Sequence, residues 1–399
     1  MKLDRLVNHL LVRVFWVVRR IDPLIRPLID VAVRPWLQAL VQWNVRRRLP
    51  DDGLALAEER EQPGEAAATA SIIAAMSRFT ETTYAHTHAE RAGNTKTYGV
   101  ARAELTVAEG LPVQLRHGLF ARPDTYRAFV RFAGPGPTAP PDLRDNAIMS
   151  VGVKVLGVAG PKLLDEESST QDLLGISAPT FTTPDVVQNA ILQQEIGNRT
   201  PLFYFIRPTH PHLADLIMQG LYAVTAASPL QVAYDSCVPF LLGDGQAVRY
   251  LFVPRPVVSP HHRLRVPLRP GPEYLREAMI TTLTTRGVAF DLLVQRQTDP
   301  VTMPVEHAGV VWSQRRSRPV RVATLRLPVQ SFDTAEQLRL ADSLRFNPWH
   351  SLPEHRPLGN QNRARRTIYA TLADVRQRMN AMPHREPTES DWLSSASED

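Results

Sequence analysis

The sequence predicts an α+β fold built on an antiparallel β-sheet or barrel with helices grouped around it. Three observations predict it. Six strand-like segments follow one another at short spacing, the helical segments cluster rather than alternate with them, and 34 prolines among 399 residues promise many ordered loops. Strands that alternated with helices would instead have pointed to a doubly wound parallel sheet.

In chain order, an alanine-rich helix is expected over Ala66–Phe79, and strands over Tyr98–Val107, Arg127–Phe132 and Ile148–Val158. Arg127–Phe132 alternates in polarity, as a strand between two environments does. Gly134-Pro135-Gly136-Pro137 and Pro140-Pro141 punctuate the connections. A helical region over Pro184–Leu221 breaks near Gly197 and Pro211. Further strands are expected at Ala247–Val253, Val288–Gln295 and Val320–Leu327, then a final helix over Gln361–Met379 with Asn360 as N-cap. The organisation reads as a basic amphipathic arm over 1–50, a linker over 51–70, a main domain over 71–383 and a disordered acidic tail over 384–399.

Charge is unevenly spread. Residues 1–50 hold ten Lys/Arg and three acids, a charge of +7, which leaves −1 on the rest of a chain whose total is +6. The main domain therefore shows no basic patch for nucleic acid. The arm mixes large apolar groups with arginine, as in Leu10-Leu11-Val12-Arg13-Val14-Phe15-Trp16-Val17-Val18-Arg19-Arg20, and no run reaches the roughly 18 apolar residues of a span. Pro23, Pro27 and Pro35 are expected to cut it into short pieces. Trp16, Trp36 and Trp43 with the arginines suit a bilayer interface. The alternative is an arm packed on its own domain or on another subunit of a homo-oligomer. No signal-peptide pattern is present, so the expected location is the cytoplasm, with a peripheral position on the inner face of a membrane as the variant.

Cys237 is the single cysteine, which rules out an intramolecular disulfide and a cysteine-built metal site and predicts a buried, inert thiol. Phosphate-binding, dinucleotide, zinc-peptidase and nucleophile-elbow motifs are absent.

Arg363-Ala-Arg365-Arg366-Thr-Ile-Tyr369 carries the main chemical signal. On a helix Arg365 and Tyr369 share one face, and a guanidinium beside a phenol favours the phenolate, an anionic ligand for iron. The same spacing also suits a basic surface helix with a half-buried tyrosine. With Phe346-Asn-Pro-Trp-His350-Ser-Leu-Pro-Glu-His355-Arg-Pro-Leu-Gly359 ahead of it, this region resembles the haem-ligand segment of the catalase-related family. The resemblance implies Tyr369 as axial ligand of haem b, Arg365 as its charge partner, and a helix continued in the family's style by Asp374 and Arg376. Upstream, Arg91-Ala-Gly-Asn94-Thr-Lys96 resembles the distal Arg-x-x-His-x-Lys motif. By the same resemblance Arg91 and Arg131 would hold haem propionates, which paired arginines suit. Gln171-Asp172-Leu173 through Phe181 resembles the next distal segment, and Val294-Gln295 and Val311-Trp312 the later barrel strands. The similarity spans roughly residues 79–379 in one shared order and implies a catalase-like haem core, an antiparallel β-barrel with surrounding helices.

Two positions depart from the family. Asn94 stands where the distal histidine belongs and Ser177 where a distal asparagine is usual. Asn94 can orient a peroxide, with Ser177 assisting, but an amide cannot take and return its proton, a loss that commonly costs about 10²–10⁴ in rate. His86 and His88 read as surface histidines with reach into the pocket as the alternative, and His350 and His355 as loop histidines making structural hydrogen bonds. The resemblance thus implies a haem-dependent oxidoreductase acting on hydrogen peroxide or an organic or lipid hydroperoxide. Two alternatives remain open: a fatty-acid hydroperoxide isomerase or lyase, and a haem-binding protein without turnover.

Overall fold

The structure is a computed structural model that describes residues 2–51, 53–145, 147–256 and 265–395. The arm forms α1 (Lys2–Leu28), a π-turn (Ile29–Val33) and α2 (Arg34–Arg46), and α3 (Glu65–Thr83) follows. Four strands come next: β1 (Thr97–Val107), β2 (Thr125–Ala133), β3 (Ser150–Val155) and β4 (Gln171–Ile176). Helices α4 (Val186–Gly197), α5 (Phe203–Ile206) and α6 (Leu213–Tyr222) separate them from β5 (Tyr234–Asp235), β6 (Phe240–Leu241) and β7 (Ala247–Pro254). The chain continues through α7 (Tyr274–Leu283), β8 (Val288–Arg296), β9 (Val320–Leu327), α8 (Ala335–Ser343), α9 (Asn360–Met379) and α10 (Glu389–Ser394).

The strands pair antiparallel in the order β5-β4-β3-β2-β1-β9-β8-β7-β6, and β5 also pairs with β7. That last pairing closes eight strands into a barrel, the α+β architecture expected from the sequence, and leaves β6 as a short ribbon on β7. Ala101, Ala103, Leu105, Ala128, Val130, Phe132, Val153, Tyr250, Phe290 and Leu325 fill the interior. The barrel is a packed core, so any ligand site lies outside it. The outer face of β2 is buried too: Phe129 packs with Val100, Leu156, Ala341 and Leu344, and Arg131 lies beside it. This explains the clean alternation of Arg127–Phe132, which separates the barrel interior from a covered outer wall.

Three segments correct the sequence reading. Pro23 and Pro27 do not cut the arm, because α1 runs through both. A proline deprives the carbonyl four residues back of its helical donor. For Pro23 that carbonyl is Arg19's, and the Thr225 hydroxyl donates to it at 2.9 Å. The acidic tail is ordered through residue 395: α10 packs on the barrel wall, where the Trp392 indole donates to the Ala103 and Ala128 carbonyls, each at 3.2 Å. Positions 396–399 of the tail lie outside the described residues. Val311-Trp312 is a loop and not a strand; the Gln295 amide donates to the Trp312 carbonyl at 3.3 Å and holds it near the barrel.

The segment before α9 is fixed to the wall by buried charge. Asp172 on β4 accepts from the Asn347 N–H at 2.8 Å and lies 2.9 Å from His350 Nδ1. Lys154 on β3 pairs with Asp172 at 2.8 Å and with Glu167, all three side chains fully buried. A Cβ at Gly152 would come within 3.0 Å of the Phe346 ring, so glycine there allows the segment its close approach. At the start of α9 the cap is Gly359, at φ 84°, and not the expected Asn360. Instead Asn360 Oδ1 accepts from the Val186 N–H at 3.0 Å, and its own N–H donates to Glu306 at 2.7 Å.

Candidate functional site

Arg365 and Tyr369 face the same way on α9. Arg365 Nη2 donates to the Tyr369 hydroxyl oxygen at 3.2 Å, and Nη1 to Asn362 Oδ1 at 3.2 Å. The guanidinium also lies 5.5 Å from the centre of the Phe181 ring, so the segment after β4 helps to hold it. Arg365 is buried and Tyr369 half-buried. The rise of α9 makes this pair inevitable once the helix forms; Phe181 and Asn362 then select the rotamer.

A second feature is a group of three arginines on the covered wall. Arg131 on β2 donates from Nε to Thr97 Oγ1 at 3.0 Å and from Nη2 to the Asn94 carbonyl at 2.6 Å. Arg91 and Arg376, the latter on α9, converge on the Leu344 carbonyl at 2.6 and 3.3 Å. Among the described residues none of the three has a carboxylate within ion-pair distance. Burial, with the neighbouring Arg376, pushes Arg131 down to about 10, while Glu90, Tyr369 and Asp342 act the other way. Arg91 is held well below the usual arginine range by burial and then by Arg376 and Arg131. Mutual repulsion in a desolvated place marks a site that would gain from an incoming anion. Arg376 was legible only as part of a helix continued in style; its seven-residue offset from Tyr369 on α9 was the available signal.

Asn94 sits at φ 44°, in the left-handed region that asparagine tolerates, and offers its carbonyl to Arg131. Ser177 is buried at the end of β4, where its Oγ accepts from the Met149 N–H at 2.9 Å. His88 is half-exposed and lies 3.1 Å from Asp342, and His86 is exposed. His355 is fully buried: Nε2 accepts from the Leu119 N–H, and Nδ1 lies 2.9 Å from the Tyr250 hydroxyl. Burial pushes it down to about 3, so it is neutral. His350 is raised instead, because its bonds to Asp172 and Glu166 outweigh burial and Lys154. Both are structural. Cys237 is buried with its thiol raised well up by burial, and Sγ contacts the Ala178 carbonyl at 2.9 Å.

The donor chemistry fits haem. A phenol with an arginine on its oxygen could hold an iron, and three arginines with no carboxylate of the described residues within ion-pair distance could take two propionates. The space does not fit it as it stands. The Tyr369 ring packs in an apolar cluster with Ala68 and Ile72 of α3, Val186 and Ala190 of α4, and Ile368 and Leu372 of α9. Met76 of α3 reaches the distal segment, 3.5 Å from where a Cβ on Gly93 would stand. The neighbouring crevice between α3, Ala92–Gly93 and α4, lined by neither Tyr369 nor the arginines, measures about 10 Å³, room for about one water.

No family model matches the chain, and no curated protein matches it in sequence. Solved structures do. A fungal catalase matches with a TM-score of 0.52 at 13% identity, over 73% of this chain and 60% of that one. Catalase A from Saccharomyces cerevisiae gives 0.57 at 13%, over 76% and 66%. A bacterial catalase gives 0.54 at 16%, over 85% and 67%. The chain thus spans 60–67% of the length of these catalases. At such identities the likeness concerns the fold: this chain has a catalase-like α+β fold, a closed eight-stranded antiparallel barrel with surrounding helices.

Proposed function

We propose that the protein is a haem-binding oxidoreductase of the catalase-related type, acting on hydrogen peroxide or an organic or lipid hydroperoxide. The observation that carries this reading is the Arg365–Tyr369 contact together with three clustered arginines that, among the described residues, have no carboxylate within ion-pair distance. Tyr369 would hold the iron and Arg365 would orient its phenol. Arg91, Arg131 and Arg376 would take the propionates. Bound haem would supply the redox chemistry of peroxide cleavage. Asn94 would orient the peroxide without moving its proton, and Ser177 would keep the adjacent β3–β4 end in register through Met149. Admitting a porphyrin requires α3 to move, since its side chains pack on the tyrosine that must reach the iron.

The test is the absorption spectrum of purified protein reconstituted with haem, beside Tyr369→Phe. A tyrosinate-type spectrum lost in the variant supports the reading, and an identical spectrum in both removes Tyr369 as ligand. The filled space and Asn94 together favour a second reading, a catalase-like protein without turnover. Oxygen evolution from hydrogen peroxide by the haem-loaded chain separates the two.

A further inference from the structure

Helix α1 is mounted with its apolar side outward. Leu3, Leu10, Val17 and Leu24 recur every seven residues, and each is between 53% and 82% exposed. Seven residues are close to two turns, so these side chains form one stripe. Val14, Ile21 and Leu28 widen it, with exposures of 60%, 44% and 67%. By contrast, the residues of α1 that are fully buried are Asn8, Arg19, Asp22 and Arg26, with no apolar residue among them.

These four polar groups dock the helix on the body. Asn8 Oδ1 accepts from the Leu202 N–H at 3.1 Å, and Arg19 Nε donates to Thr225 Oγ1 at 3.2 Å. Asp22 accepts from the Thr225 N–H at 2.7 Å, and Arg26 donates to the Leu221 and Ala223 carbonyls at 2.9 and 2.8 Å. Asn8, Arg19 and Asp22 each lie two residues from a stripe residue, a rotation of about 200° round the helix. Polar anchors and apolar stripe are therefore on opposite faces. An ordinary surface helix has the reverse polarity. On α2 the pattern continues with Trp36 and Trp43, 57% and 58% exposed, and Arg47 lies over the Trp43 ring at 4.6 Å.

We propose that this face seats on an anionic lipid bilayer surface, with the α1 stripe and the α2 tryptophans in the headgroup–acyl boundary. Charge decides the occupant. The arm carries +7, with Arg13 and Arg20 exposed beside the stripe on α1 and Arg47 and Arg48 exposed at the end of α2. Two copies apposed through it would set these exposed arginines against one another, whereas anionic headgroups neutralise them. Tryptophan and arginine flanking aliphatic groups is the composition of an interfacial helix. No helix among the described residues is long and apolar enough to cross a membrane, so the contact is peripheral. The body then presents a fixed face to the bilayer, because the anchors on α1 are buried hydrogen bonds and not a loose tether.

The experiment is co-sedimentation of the full chain with vesicles of phosphatidylcholine containing about one third phosphatidylglycerol, against pure phosphatidylcholine, at low and high salt. Binding to the anionic vesicles should exceed binding to the neutral ones and weaken with salt. The double variant Val17→Glu/Leu24→Glu should bind at least tenfold more weakly. Both positions are exposed, so its circular dichroism and melting should match the parent. No vesicle binding by a monomeric chain overturns the proposal. So does anionic binding that the double variant leaves unchanged, and so does a dimer in solution that the double variant breaks, which would make a second copy the occupant. None of these outcomes depends on haem.

Discussion

Arg365 Nη2 lies 3.2 Å from the Tyr369 hydroxyl, one helical turn away on α9. Replacing Arg365 with Met removes this donor while keeping the apolar stem. The expected outcome is an apo protein of unchanged circular dichroism that loads haem at least about tenfold less well, the equivalent of one charge-assisted hydrogen bond. Titration with hemin, followed in the Soret region, measures it.

Asn94→His is expected to raise peroxide consumption by the haem-loaded chain by about 10² or more, by restoring an acid–base group at the distal position. The backbone at φ 44° admits the change, since histidine is among the residues enriched in the left-handed region. Oxygen evolution is the readout. Equal rates in parent and variant would show that something other than the missing histidine limits turnover.

Ile72 is 1% exposed in the cluster that buries the Tyr369 ring. Ile72→Ala should destabilise the apo protein by about 2–5 kcal/mol and, by loosening α3, speed haem uptake. Chemical denaturation and the kinetics of hemin binding check the two halves. A destabilised variant that takes up haem no faster would show that α3 does not control entry.

Arg363 joins three carboxylates from separate parts of the chain: Glu59 at 2.8 Å, Glu65 at 2.6 Å and Glu306 at 2.8 Å. Bonds to Glu65 and Glu306 hold its charge despite partial burial. Arg363→Met leaves three acids facing one another. A loss of about 3 kcal/mol is expected, visible as a lower denaturation midpoint.

His355 supplies a pH dependence whose sign follows from its depressed pKa. The folded state holds the ring neutral down to about 3, whereas the unfolded chain protonates it near 6.5. Stability from this group is therefore complete above about 6.5 and is lost as pH falls from there toward 3. His355→Gln keeps an acceptor for the Leu119 N–H and removes the titration. Urea midpoints at pH 7.5 and 5 should differ more in the parent than in the variant.

Much of the fold was legible because strands and helices leave local periodicities. Tyr98–Val107, Ala247–Val253, Val288–Gln295 and Val320–Leu327 each fall on an observed strand to within a residue or so, and the last long helix was placed from its pattern, though its cap proved to be Gly359 and not Asn360. Short strands such as β5 escaped, since two residues carry no period and exist only because β4 and β7 flank them. The continuity of α1 was equally hidden: whether a proline breaks a helix depends on what meets the freed carbonyl, here Thr225 some two hundred residues away.

The candidate site divides in the same way. The sequence by itself determined that Arg365 and Tyr369 would share a face, because the pitch of one helix settles that, and it carried a motif order that resembles the catalase-related family. Only the tertiary structure decided that Arg91, Arg131 and Arg376 would crowd together with no carboxylate of the described residues within ion-pair distance, since they come from three segments brought together by barrel closure and by the seating of α9. It alone decided that α3 would fill the space beside Tyr369, and that α1 would turn its leucines outward. Local periodicity shows that a face exists; which face is buried depends on the partners that folding brings to it.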